Sequence, residues 1–177
     1  MFLDNRPTIG VNMLKYFLLT ALSVTTLYAQ TNVVAFSGST RKESINKKLI
    51  AEAANFAKDA GANVTVIDLK DYPIPFFDED LEKQGMPEKA KEIRKLMMES
   101  QVVIIATPEY NGSISGVLKN VIDWTTRTER GEPSRDAYKG KKFILLSASP
   151  GQSAGATALA HLKSIVQRIG GTVVYEY

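Results

Sequence analysis

Val33-Val34-Ala35-Phe36-Ser37-Gly38-Ser39-Thr40-Arg41-Lys42-Glu43-Ser44-Ile45-Asn46-Lys47-Lys48-Leu49 is the stretch that decides the fold. Its apolar, β-branched start predicts a strand over residues 32–36. A hydroxyl-rich turn follows, and Ile45, Leu49, Ala53, Phe56, Ala57 and Ala60 then recur at helical spacing up to a stop at Gly61. A strand that feeds a helix through a tight turn leaves the first helical N–H groups without intrahelical partners, and the helix dipole favours negative charge there. Ser39, Thr40, Ser44 and Asn46 add side-chain donors, and Arg41 adds a planar charged fork suited to phosphate. The turn has neither the Gly-Lys-Ser/Thr of Walker A nor G-x-G-x-x-G. Hydroxyls and one arginine in place of glycines suit a single terminal phosphate better than a buried pyrophosphate, although a serine at such a turn also serves as an ordinary cap.

The same grammar recurs along the chain. Residues 64–69 read as a second strand, and the prolines of Tyr72-Pro73-Ile74-Pro75-Phe76-Phe77 exclude a central strand after it. Pro87 opens a helix to about residue 100, with Ala90, Ile93, Leu96 and Met97 on its apolar side. Val102-Val103-Ile104-Ile105-Ala106 is an uninterrupted apolar run, as expected of a strand buried on both faces of a parallel sheet. It runs into Thr107-Pro108-Glu109-Tyr110-Asn111-Gly112-Ser113 and a helix over 115–126. Phe143-Ile144-Leu145-Leu146 is a fourth strand and ends in Ser147-Ala148-Ser149-Pro150-Gly151-Gln152-Ser153-Ala154-Gly155. A helix with Leu159, Leu162, Ile165, Val166 and Ile169 comes next, Gly170-Gly171 ends it, and residues 172–177 form strand five. The alternation predicts an α/β, doubly wound, parallel five-stranded sheet of order 2-1-3-4-5. All three polar turns then lie at its carboxyl edge, around the switch point between strands one and three where such sheets bind ligands.

Composition bounds the chemistry. The 177 residues, 44% hydrophobic and 23% charged, suffice for one domain with a sizeable core. The 22 basic and 19 acidic residues leave a net charge of +3 with no dense basic patch, so nucleic acid is not an expected partner. With no cysteine, disulfides, thiolate nucleophiles and cysteine zinc sites are excluded. A single histidine, His161, leaves no histidine cluster for a metal, and redox chemistry must be carried by a cofactor. His161 falls in the apolar pattern of its helix and reads as structural, Trp124 as core or subunit contact, and Arg127 and Arg130 as a solvated charged loop. Residues 1–30 are set apart from the domain at 31–177. Met13-Leu14-Lys15-Tyr16-Phe17-Leu18-Leu19-Thr20-Ala21-Leu22 starts a lysine-led apolar stretch, similar to a signal peptide cut after Ala29 or else an apolar N-terminal extension, and too short to favour a stable membrane span.

Gly38-Ser39-Thr40-Arg41-Lys42-Glu43-Ser44-Ile45-Asn46 resembles the G-S-x-R-x-x-S-x-N motif of the NADPH-dependent FMN reductases, a flavodoxin-like family that includes chromate, quinone and azo-dye reductases. Pro108-Glu109-Tyr110-Asn111-Gly112-Ser113, the helix Gly116-Val117-Leu118-Lys119-Asn120-Val121-Ile122-Asp123-Trp124, and Ser149-Pro150-Gly151 with Gly155 continue the likeness over residues 31–177. The resemblance implies that Ser39, Thr40, Arg41, Ser44 and Asn46 hold the FMN phosphate. It implies that Pro108, Glu109, Tyr110 and Asn111 run along the isoalloxazine edge, and that Ser149 and Gly151 approach the other side of the ring. Glu109 in that loop is also read as orienting backbone, and no general acid or base is singled out.

The activity so implied is an FMN-dependent NAD(P)H oxidoreductase that takes hydride from NADPH or NADH and passes it to quinones, flavins, azo compounds or chromate. The alternative is a flavodoxin-type electron carrier without nicotinamide turnover. A homodimer or homotetramer in the cytoplasm is expected, export being the other reading of the N-terminus. The family continues beyond strand five into a final helix, which this sequence lacks. Strands four and five are therefore expected to be uncovered on the face of helix one, where residues 14–28 are a candidate cover.

Overall fold

The computed structural model describes residues 30–151 and 154–177. Strands β1 (Asn32–Ser37), β2 (Asn63–Asp68), β3 (Val102–Thr107), β4 (Lys142–Ser147) and β5 (Thr172–Glu176) form one sheet in the order β2-β1-β3-β4-β5. Every pairing is parallel. The crossovers carry helices α1 (Ile45–Asp59), α2 (Glu79–Glu82), α3 (Glu88–Glu99), α4 (Gly116–Thr125) and α5 (Ala156–Arg168). The expected order and parallel sense are observed, and they set β1 beside β3 with their carboxyl ends on one edge.

Period-two alternation divides the sheet between two cores. Val34, Phe36, Val103, Ile105, Phe143 and Leu145 face α3, α4 and α5, meeting Ile93, Met97, Leu118 and Leu162. Val33, Ala35, Ile104, Ala106 and Leu146 face α1 and Ile50. Burial on both sides is why β1 and β3 read as unbroken apolar runs. Ala90, Met86 and Trp124 form a third cluster. There the Trp124 Nε1 donates to the Pro75 carbonyl at 2.9 Å, and Phe77 lies edge-on to the indole at 5.0 Å. Trp124 is therefore core, and it pins the proline-rich loop onto α4.

Three local expectations change. The second strand stops at Asp68, whose carboxylate accepts from Lys70 N at 3.0 Å and starts a 3₁₀ turn over Leu69–Asp71. The short α2 was not expected; Asp78 caps it by accepting from Asp80 N at 2.7 Å. In α1 the stripe fully buried against the sheet is Asn46, Ile50 and Ala54, whereas Ile45 is 42% and Phe56 73% exposed. The apolar arc of α1 is wider than its contact with the sheet. The remainder, Leu49, Ala53, Phe56 and Ala57, lines an open groove with Ile104, Ile144, Leu146, Tyr175 and Tyr177. On that face, beyond the contact of Leu146 with α1, β4 and β5 carry no helix among the described residues. The reading of residues 1–29 lies outside the described residues. Among the described residues no helix is long and apolar enough to cross a membrane.

Candidate functional site

Loop one leaves β1 at Ser37 and is shaped by its own hydroxyls. Ser39 N donates to Ser37 Oγ at 3.2 Å, and Arg41 N donates to Ser39 Oγ at 3.3 Å. Gly38 N donates to Ala106 O at 2.8 Å, and Ser115 Oγ donates to Gly38 O at 2.5 Å, which binds the loop to β3 and to the start of α4. A Cβ at Gly38 would stand 3.0 Å from Leu118 Cβ, so close packing on α4 selects glycine there. Ser39 and Ser44 are buried, while Thr40 and Arg41 are exposed. Arg41 folds back over the turn, its Nη2 donating to Glu43 O at 2.6 Å. Ser44 is the N-cap of α1, but its side chain makes no capping hydrogen bond. The first turn of α1 thus presents uncapped N–H donors beside two buried hydroxyls and a guanidinium.

Loop three follows β3. Thr107 and Pro108 are buried, and Thr107 Oγ1 donates to Pro108 O at 2.9 Å. Asn111 and Gly112 take the left-handed conformation, φ +52° and +73°, which closes a turn in which Tyr110 N donates to Ser113 O at 2.9 Å and Ser113 N to Tyr110 O at 3.1 Å. Tyr110 stands 52% exposed at the tip, and the Glu109 carboxylate reaches α5, its Oε2 accepting from Thr157 N at 3.1 Å and Ala158 N at 3.2 Å.

Loop four follows β4. Ser147 Oγ donates to Thr107 O at 2.8 Å, joining loops three and four. Asn46, 2% exposed, donates through Nδ2 to Ala148 O at 2.9 Å and accepts at Oδ1 from Ala148 N at 3.0 Å, joining loops one and four. Ser149 Oγ accepts from Gly151 N at 3.3 Å, and Gly151 is exposed.

Ser39, Thr40, Arg41 and Ser44 are therefore gathered on loop one, residues 108–111 on loop three, and Ser149 and Gly151 on loop four, all at the carboxyl edge of the sheet. Asn46 is the strut between two of these loops, its amide engaged with Ala148. Ser115, Ser147 and Thr107 make the other struts. Ser115, read from the sequence only as the first residue of a helix, is the N-cap of α4, where its Oγ accepts from Leu118 N at 3.2 Å, and its bond to loop one was not legible either.

The charged neighbours are largely committed elsewhere. Burial alone would raise the Asp68 carboxyl, but the Lys47 ammonium at 2.6 Å and the Lys70 N–H outweigh it and hold it below the usual carboxylate range. Arg127 is half-buried rather than solvated, with Nε 2.7 Å from Glu82 Oε1 and its guanidinium 4.9 Å over Phe77, and Arg130 is exposed. His161 is exposed rather than set in the helix core, because the buried stripe of α5 is Ala158, Leu162 and Val166; its Nδ1 lies 3.2 Å from Ser113 Oγ.

Comparison with known proteins bears on this edge. The model of a family described as NADPH-dependent FMN reductase matches residues 31–177. The chain is similar to an NAD(P)H-dependent FMN reductase of Pseudomonas aeruginosa, 34% identical over 131 residues that make up 74% of this chain and 66% of that protein. It is 35% identical over 124 residues to a quinone reductase of Pseudomonas putida, covering 70% of this chain and 63% of the relative. The chain thus spans just under two thirds of the length of both relatives. Among solved structures, a flavoenzyme NAD(P)H:(acceptor) oxidoreductase from Paracoccus denitrificans matches with a TM-score of 0.68 and 31% identity, over 82% of this chain and 74% of that one.

Proposed function

Since the chain belongs to the NADPH-dependent FMN reductase family, we propose that it is an oxidoreductase that seats FMN across loops one, three and four. It draws hydride from NADPH or NADH and delivers it to small-molecule acceptors such as quinones, flavins, azo compounds or chromate. The carrying observation is the convergence of the three loops at the edge of β1, β3 and β4, tied together by Asn46, Ser115 and Ser147 beside an uncapped α1 N-terminus. This donor set fits a phosphate monoester: buried hydroxyls, first-turn N–H groups and one arginine complement a compact dianion. Ser39, Thr40, Arg41 and Ser44 hold the phosphate in this reading, and Asn46 keeps loop four seated beside them.

When bound, FMN supplies the two-electron chemistry, and the protein supplies binding, orientation and electrostatics. Pro108, Glu109, Tyr110 and Asn111 offer a stiffened backbone edge to the ring, and Ser149 and Gly151 bound the other side. Tyr110, half out in solvent at the tip of the same loop, would shield the ring from water. The open edge leaves room for a nicotinamide and an acceptor in turn. The same reading carries a homodimeric or homotetrameric enzyme of the cytoplasm, supported by the exposed groove beside α1 and by the need for a nicotinamide donor; light scattering after size exclusion tests the assembly. For the site itself the test is FMN titration of wild type and Arg41→Ala. The variant is expected to bind FMN roughly tenfold or more weakly at an unchanged melting temperature, as loss of a charge-assisted phosphate contact implies. Equal affinity for the two proteins contradicts the assignment.

A further inference from the structure

Helix α5 begins without a cap of its own. Its N-cap is Gly155, at φ +89°, and a Cβ there would stand 1.9 Å from Ser147 Oγ. The serine, threonine, aspartate or asparagine that usually accepts from the first N–H groups is therefore sterically excluded. The acceptor arrives instead from Glu109, 48 residues earlier on loop three, whose Oε2 receives the Thr157 and Ala158 N–H groups. A carboxylate at this end also complements the positive pole of the helix.

The contact matters to loop three as much as to α5. Pro108 is buried at the base of the loop, but its outer part turns through two left-handed residues and is closed by the local bonds between Tyr110 and Ser113. Glu109 links that turn to an element of the other wall of the site. Ser147, which forces glycine at the head of α5, is also the residue that ties loop four to Thr107. Loops three and four and the start of α5 thus close on one another through Ser147 and Glu109.

We infer that Glu109 is a positioning residue: it takes the N-terminus of α5 as an anchor and so fixes the backbone of residues 109–111 relative to loop four. The inference rests on the FMN reading only for its consequence, because the anchor is a property of the chain alone. With loop three so fixed, its backbone edge meets the flavin ring already ordered, and binding does not have to supply that order.

The test compares Glu109→Ala and Glu109→Gln with Leu162→Ala, a truncation in the buried stripe of α5 that leaves the Glu109 carboxylate in place. Amide hydrogen exchange is followed on the flavin-free proteins, and FMN affinity is measured separately. In Glu109→Ala, exchange at Thr157, Ala158, Tyr110 and Ser113 is expected to speed up about tenfold, with a similar loss of FMN affinity, as removal of one cap implies. Glu109→Gln, which keeps an acceptor oxygen, is expected to return both to within about threefold. Leu162→Ala is expected to raise exchange along α5 while leaving Tyr110, Ser113 and FMN affinity unchanged. The inference is overturned if Glu109→Ala leaves Tyr110, Ser113 and FMN affinity as in wild type, or if Leu162→Ala reproduces its effects on both. If wild type takes up no FMN, the functional reading fails while the exchange data still decide the anchor.

Discussion

Replacing Asn46 by alanine removes both hydrogen bonds between loops one and four. The side chain is 2% exposed, and its amide both donates to and accepts from the backbone of Ala148. Two intramolecular hydrogen bonds contribute about 1 kcal/mol each, and stranding the Ala148 N–H and C=O adds a desolvation cost. Ala148 is only half-buried, so water recovers part of that cost. The expected destabilisation is therefore about 2–3 kcal/mol, which for a domain of this size lowers Tm by roughly 5–10 °C. Asn46→Asp sharpens the test, because the carboxylate still accepts from Ala148 N but turns its second oxygen toward Ala148 O. At neutral pH the loss is expected to equal or exceed that of Asn46→Ala. The carboxyl so introduced has a folded pKa raised above its unfolded value, since only its protonated form donates. Stability relative to wild type is then highest below the unfolded pKa, about 4, and is lost as pH rises through the folded pKa. Urea unfolding followed by circular dichroism from pH 3.5 to 8 measures both effects. A loss below about 0.5 kcal/mol for Asn46→Ala, or a pH-independent difference for Asn46→Asp, refutes the strut.

The remaining predictions concern Gly155, Asp68 and the assembly. Gly155→Ala combines a left-handed backbone with a Cβ 1.9 Å from Ser147 Oγ and is expected to cost at least about 2 kcal/mol; thermal unfolding at the wild-type Tm contradicts it. The Asp68 carboxyl is held below its ordinary value near 3.8, so the unfolded chain binds more protons in that range. Its contribution to stability is present above the unfolded value and is lost as pH falls through the folded one. Asp68→Asn is accordingly expected to flatten the acid limb of the stability profile below about pH 4, and an unchanged limb in denaturant titrations contradicts this. Substituting Phe56, 73% exposed in the apolar groove, by lysine is expected to leave the fold intact and lower the apparent mass in light scattering if the groove is where copies meet; an unchanged assembly assigns the contact elsewhere.

The sheet was legible because each of its strands announces itself locally. Residues 33–36 and 102–106 are apolar without interruption because the sheet is covered on both faces there, and each polar turn follows a strand end, so the carboxyl edge could be located before any contact was known. The family motif then pointed to the same loops. What pattern alone hid were facts that depend on the third dimension. Asn46 looks like a ligand because an asparagine at a helix start is a donor, and only the approach of Ala148, 102 residues away, gives its amide a partner. Gly155 looks like an ordinary loop glycine until the Ser147 hydroxyl is seen where its side chain would go. The helical spacing of α1 and α5 was read correctly, but spacing does not say how wide an arc the sheet covers; hence Phe56 and His161 point outward. The four-residue α2 is too short for periodicity to register and is set by the Asp78 cap instead.

The central claim is that these three loops form one flavin site fed by a nicotinamide. The most direct measurement is a visible absorption spectrum of the purified protein loaded with FMN and freed of excess, followed by anaerobic titration with NADPH and then NADH. The account predicts a yellow protein that bleaches stoichiometrically and regains its colour when a quinone is added. A protein that stays colourless after FMN, or one that binds FMN but is not bleached by either nicotinamide, contradicts it.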